Sequence, residues 1–290
     1  MPAYTAKQRV KNTVYLGVGT AGRLRHPTTS GLRVLLYHKV NDVQGNPGSV
    51  TPALFAEHMA MIAAEGYRPV SLGEVLEHLG DGAPLPPRAT LITFDDGYLD
   101  NLVNAAPILA QHGFPAVLFM SVGRIGSDTP FPHDERRPAP NPTLDWNGLE
   151  EIERLGVRVE SHGIAHVPLA SLDDAAAEQD ITGAKQILEE HLGRPVRAYA
   201  YVKGGTGDFG ARHREMLRRV GYEAAFTTVT GSNGEGSDPF ALRRYNVEPY
   251  PASTLALVLR GACDAMAVKD SRPGTAARRV FNRVLGTTSR

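Results

Sequence analysis

The sequence predicts one α/β domain, a TIM-like (β/α) barrel of about seven strands that is distorted or incomplete, and three observations predict it. Short apolar stretches rich in β-formers alternate with segments of helical spacing. About seven such units fit within ~230 residues, as a barrel requires. The length of 290 residues, with 42% hydrophobic and 21% charged, suits one domain with a sizeable core. An open doubly wound sheet is the alternative reading of the same alternation.

The elements follow in order. Arg33–Tyr37 reads as the first strand; Thr51 then caps a helix with Pro52 at its first position and Leu54, Phe55, Met59 and Ile62 on one face, ended by Gly66. Ser71 starts a second helix, with Glu74 completing a capping box. Ala89–Phe94 is the next strand, Tyr98–Gln111 a helix stopped at His112-Gly113, and Ala116–Met120 another strand. The repeat continues as helix Gly148–Leu155, strand Val157–Glu160, helix Asp173–Leu192, strand Val196–Tyr201, helix Ala211–Val220 and strand Glu223–Thr227. A strand near Leu242–Val247 and a helix Ser253–Met266 close it, so residues 32–267 form the domain, between an N-terminal extension 1–31 and a basic tail 268–290. The proline-rich run Gly126–Asn141, with His133-Asp134-Glu135-Arg136-Arg137 inside it, breaks the rhythm and reads either as a site-lining loop or as a solvated insertion.

Lys plus Arg equals Asp plus Glu, 31 of each, which removes any whole-chain electrostatic reason to expect a nucleic-acid partner. With Cys263 alone, no intramolecular disulfide or cysteine metal cluster forms. The stretch after Lys7, Arg9 and Lys11 is interrupted by glycine, so neither a signal peptide nor a membrane span is read and a cytoplasmic location is expected. The tail, with Arg278, Arg279, Arg283 and Arg290 among Val280, Phe281, Val284 and Leu285, has the composition of a peripheral membrane contact or of a segment packed on the domain. No pattern specifies an oligomeric state.

Two constellations carry chemistry. Asp95 and Asp96 follow an apolar strand, at the C-terminal mouth where α/β domains build their sites; two adjacent carboxylates there repel unless a cation or different protonation states separate them, although a helix cap and a first-turn acid would use the same pair. His162 and His166 follow the Val157–Glu160 strand, four positions apart, so that on a helical turn they meet on one side. With an aspartate from the other strand they make a one-carboxylate, two-histidine set that leaves metal positions open for water and substrate.

Thr93-Phe94-Asp95-Asp96-Gly97 and Ser161-His162-Gly163-Ile164-Ala165-His166 resemble the first two motifs of the polysaccharide deacetylase family, the carbohydrate esterases with a NodB-type domain. Leu35-Leu36-Tyr37-His38-Lys39-Val40, Gly66–Leu72, Leu144-Asp145-Trp146 and Leu242-Arg243-Arg244 resemble further segments of one branch, so the likeness runs over roughly residues 32–265. The resemblance implies a NodB-type barrel, Asp96, His162 and His166 as metal ligands and Asp95 as general base. Zinc suits that set; cobalt, manganese and nickel share its ligand preference. The substrate implied is an N-acetylated amino sugar in a glycan or glycan precursor.

Two departures stand out. The late Leu-x-His motif that supplies the family's general acid is missing, and His38 of the leading segment takes its place as candidate, the alternative being a histidine packed at the strand end. In the third motif the chain reads Tyr199-Ala200-Tyr201-Val202-Lys203-Gly204: the Lys203 backbone N–H can still serve as oxyanion donor, while its side chain either meets an anionic group on the substrate or points to solvent. Trp146 and Tyr201 are candidate apolar faces for a sugar or acetyl methyl group, or ordinary core residues. Hydrolysis of another amide-like bond, such as a formamide or imide, and glycan binding without turnover are the competing functions.

Overall fold

The computed structural model describes residues 31–43, 46, 48–135, 141–264 and the single positions 13, 17, 267 and 270. The remainder of the N-terminal extension and of the basic tail, where the membrane-contact reading falls, lies outside the described residues, as do residues 136–140 of the proline-rich loop.

The chain builds β1 (Arg33–Tyr37), β2 (Lys39–Val40), β3 (Ser49–Val50), α1 (Pro52–Ala64), β4 (Arg68–Pro69), α2 (Leu72–Asp81), β5 (Ala89–Asp96), α3 (Ala106–His112) and β6 (Ala116–Met120). It continues with α4 (Trp146–Arg154), β7 (Val157–Ser161), α5 (Asp174–Leu192), β8 (Ala198–Ala200), α6 (Ala211–Val220), β9 (Ala224–Phe226), β10 (Tyr245–Asn246) and α7 (Ala252–Leu259). The main sheet runs β10-β1-β5-β6-β7-β8-β9, with β4 on the edge of β5 and every pairing parallel. It curls into an incomplete barrel, and the seam is joined by an isolated parallel bridge between Phe226 and Leu242, just before β10.

Period-two alternation divides the strands between two cores. Val34, Leu91, Val117, Phe119, Ala198, Ala200, Ala224 and Phe226 fill the barrel interior. Leu35, Tyr37, Ile92, Phe94, Leu118, Val157, Val159 and Tyr199 face the helices. Local signals fix the helix starts: Thr51 Oγ1 accepts from Leu54 N–H ahead of α1, Ser71 and Glu74 form the capping box of α2, and Asp173 accepts from Ala176 N–H ahead of α5.

One helix differs in kind from expectation. The helix expected from Tyr98 begins at Asn101 as a π-helical turn through Ala105 before α3, because Tyr98 and Leu99 are tied to the segment before α4 by a bridge to Thr143 and a bond from Leu99 N–H to Pro142 O. Among the described residues no helix is long and apolar enough to cross a membrane.

Candidate active site

His38, Asp95, Asp96, His162, His166 and Lys203 line one cavity of about 560 Å³. Each comes from the C-terminal end of a strand: His38 follows β1, the aspartates end β5, His162 follows β7, and Lys203 lies three residues past β8. The parallel sheet thus gathers, at one mouth, residues up to 165 positions apart in the chain.

Asp95 points into the barrel with Thr93, and Arg244 grips it, one Nη to each carboxylate oxygen at 2.7 Å. Arg244 is fully buried; its Nε donates to Thr227 O at 2.8 Å and its Nη1 to Thr93 Oγ1 at 3.2 Å. Burial alone would raise the Asp95 pKa, but the charges of Arg244 and His162 and the Arg244 hydrogen bonds outweigh it and hold the carboxyl below its ordinary range. On a regular strand, adjacent side chains face opposite ways. Asp96 escapes this with φ of 77°, a left-handed value costly for a non-glycine residue, so both carboxylates reach the mouth. Gly97 continues the turn, and a Cβ there would collide with Met120 Sδ.

Asp96 Oδ1 lies 2.9 Å from His166 Nε2 and 3.5 Å from His162 Nε2. Burial would raise this carboxyl; the contacts with His162 and His166 hold it well below its usual range. His162 Nδ1 lies 2.8 Å from Ala200 O, which assigns the ring proton to Nδ1, donating to that carbonyl and leaving the Nε2 lone pair free for a cation beside Asp96 Oδ1. The histidines do not sit on a helical turn. They flank an irregular loop that Asp180 of α5 clamps, its Oδ1 accepting from Ile164 and Ala165 N–H at 3.1 and 2.8 Å, and His166 adopts φ of 52°. One donor atom from each of Asp96, His162 and His166 falls within 4.8 Å of the others, and buried Asp96 Oδ2 has no hydrogen-bond partner. One carboxylate and two imidazoles with converging lone pairs fit a divalent cation.

Burial lowers the His38 pKa, opposed by the charges of Asp96 and Asp95, so this ring answers to both carboxylates. Its carbonyl accepts from Asn101 Nδ2 at 2.9 Å, anchoring it between β1 and the π-helical turn. The proline-rich loop reaches the same cavity through Pro132 and His133. His133 Nε2 is 3.5 Å from Asp96 Oδ2, and burial pushes its pKa down to about 4. Asp134 is buried with both oxygens 2.6 Å from Lys39 Nζ.

Lys203 is exposed at the rim with φ of 58°; its carbonyl accepts from Thr228 Oγ1 at 2.6 Å, and its N–H makes no hydrogen bond among the described residues. Trp146 and Tyr201 do not line the cavity. Trp146, at the start of α4, stacks on His191 of α5 with centroids 3.8 Å apart. Tyr201 is a core residue, stacked on Phe209 at 4.0 Å with its hydroxyl donating to Phe240 O at 3.0 Å. The aromatic faces expected of these two are committed to packing. Sequence reasoning gave no site role to Arg244, Lys39 or Asp180; a buried cation opposite a strand-end aspartate is a tertiary relation that spacing does not encode.

Residues 82–225 match the family profile described as Polysaccharide deacetylase. YxkH of Bacillus subtilis (strain 168), named as a candidate polysaccharide deacetylase, is 25% identical over 230 residues, which cover 79% of this chain and 76% of that protein. The poly-beta-1,6-N-acetyl-D-glucosamine N-deacetylase of Escherichia coli (strain K12) is 30% identical over 142 residues, 46% of this chain and 20% of that protein. Among solved structures, Streptococcus pyogenes deacetylase PplD in complex with acetate superposes with a TM-score of 0.69 at 20% identity, over 79% of this chain and 98% of that one, a likeness of fold.

Proposed function

We propose, for a chain that belongs to the polysaccharide deacetylase family, that it removes the N-acetyl group from an N-acetylated amino sugar in a glycan or glycan precursor, with a divalent metal held by Asp96, His162 and His166. The observation that carries the reading is the meeting of both aspartates and four histidines at one barrel mouth. The E. coli relative, named for deacetylating a poly-N-acetylglucosamine, supports the substrate class.

A divalent cation in this set, with zinc the best match and cobalt, manganese or nickel also suited, supplies Lewis acidity and lowers the pKa of water. Asp95, kept ionised and immobile by Arg244, retains a second lone pair on each oxygen and accepts the proton of the attacking water. The N–H of Lys203, free of other partners among the described residues, donates to the oxyanion that develops on the acetyl carbon. His38 returns a proton to the departing amine; the burial that lowers its pKa makes its protonated ring a readier donor.

The test is acetate release by zinc- or cobalt-loaded protein from a panel of N-acetylated sugars, nucleotide sugars and oligosaccharides. Asp95→Asn is expected to lower turnover by about 10²–10⁴-fold with metal still bound. Unchanged release in that variant would remove Asp95 as the base. No release from any substrate by the metal-loaded parent would replace the hydrolase reading with glycan binding.

A further inference from the structure

The buried pair of Lys39 and Asp134 takes no part in the chemistry above. Side-chain exposures of 2% and 0% put it out of reach of water, and such a pair contributes little net stability, because desolvating both ions offsets their attraction. What it does is hold the proline-rich loop against β2, beside His38. Phe131 of the same loop is fully buried, edge-on to Tyr98 at 5.4 Å and to His166 at 4.5 Å. His133, between these anchors, stacks on Phe131 with an interplanar angle of 14°.

The hydrogen bonds have a direction. Tyr98 Oη donates to Asp134 Oδ2 at 2.8 Å, which uses its only proton, so at 3.0 Å from His133 Nε2 it acts as acceptor and His133 carries its proton on Nε2. With its N–H donated to Tyr98, the same Nε2 lies 3.5 Å from Asp96 Oδ2 as a charge contact rather than a hydrogen bond, while Oδ1 faces His162 and His166.

Building on the metal-site reading above, we infer that His133 is a positioning residue of the metal centre: the Lys39–Asp134 latch and Tyr98 hold the electropositive Nε2 edge of its ring 3.5 Å from the outer oxygen of Asp96, which restrains that oxygen by charge and keeps Oδ1 directed between His162 and His166. A ligand carboxylate restrained on its free oxygen loses less freedom when it binds, and outer partners of this kind set affinity by about 10–100-fold.

Cobalt(II) titration tests this, reading the visible spectrum of the bound ion and its affinity in competition with a chelator, for the parent, Asp96→Asn, His133→Gln, His133→Gly and Tyr98→Phe, with thermal melts to confirm folding. His133→Gln is expected to bind cobalt about tenfold or more weakly with an altered spectrum. Tyr98→Phe should weaken binding in the same sense, with a combined effect smaller than the sum. Added imidazole should restore affinity to His133→Gly, which a packing role for the loop would not allow. Parent-like affinity and spectrum in His133→Gln, beside loss of binding in Asp96→Asn, would overturn this inference and leave the metal site intact. Absence of cobalt binding by the parent would overturn both.

Discussion

The helical layer and the barrel mouth of this molecule obey different rules. Around the outside, local chemistry and tertiary structure agree: Ser71 and Glu74 cap α2 reciprocally, Asp173 caps α5, and the apolar stripes meet the outward residues of the strands. At the mouth they conflict. Among the described residues, three (Asp96, His166 and Lys203) of the four non-glycine residues with positive φ line the cavity. Asp96 has a buried carboxylate oxygen without a hydrogen bond, and its neighbour Asp95 is held by the fully buried guanidinium of Arg244. Strain and unpaired polarity collect where the chain must present charge to a ligand, and the regular layer supplies the stability that tolerates them.

Three substitutions or titrations probe that contrast, beginning with the largest effect. Arg244→Met strands Asp95 in the interior without its counter-charge, and a loss of about 3–5 kcal/mol in urea unfolding is expected together with loss of activity. Parent-like stability would mean that water reaches the pair and that the mouth is less costly than its burial implies.

A titration in the helical layer comes next. His58 of α1 is fully buried, 3.2 Å from Tyr37 Oη through Nδ1 and 2.9 Å from Tyr250 O through Nε2, and burial lowers its pKa from 6.5 to about 4. The folded value lies below the unfolded one, so between them the unfolded chain binds more protons. The stability contribution of the neutral ring is complete above pH 6.5 and is lost as pH falls toward about 4, amounting to about 3 kcal/mol. Melting midpoints recorded across that window should fall more steeply for the parent than for His58→Gln; parallel curves would locate the acid sensitivity elsewhere.

The smallest effect is expected from Ser71→Ala, which removes the side chain of a capping box remote from the cavity: about 1 kcal/mol of stability by thermal melts, with acetate release unchanged. A change in turnover there would show that the layer and the mouth are not separable.

What the sequence made legible follows the same division. Strand β6 and helix α6 match their predicted bounds, and the caps at Thr51 and Ser71 stand where residue type and spacing put them, because these are local decisions. The two aspartates and two histidines were readable as strand-end clusters, and parallel topology brought them together. The left-handed turn at Asp96 was not readable, since no residue type announces that an aspartate will accept positive φ. Nor were the pairings of Arg244 with Asp95 and of Lys39 with Asp134, each joining positions 95 or more apart. Trp146 and Tyr201 show the converse: aromatic type near a motif says nothing about direction, and both turned into packing.

The seam of the barrel couples shape to chemistry through time as well as space. One parallel bridge and the backbone bonds near Leu242 join β9 to the segment carrying Arg244, whereas β1, β5, β6 and β7 are held by continuous ladders. Opening on warming starts where the fewest bonds must break. Arg244 lies between that bridge and β10, which is laddered to β1 and through it to β5, so opening the seam leaves the guanidinium on the Asp95 side and parts it from the Thr227 carbonyl. On warming, amide exchange at Thr227 and Leu242, whose N–H groups cross the seam, is therefore expected to begin before the helices lose their circular dichroism.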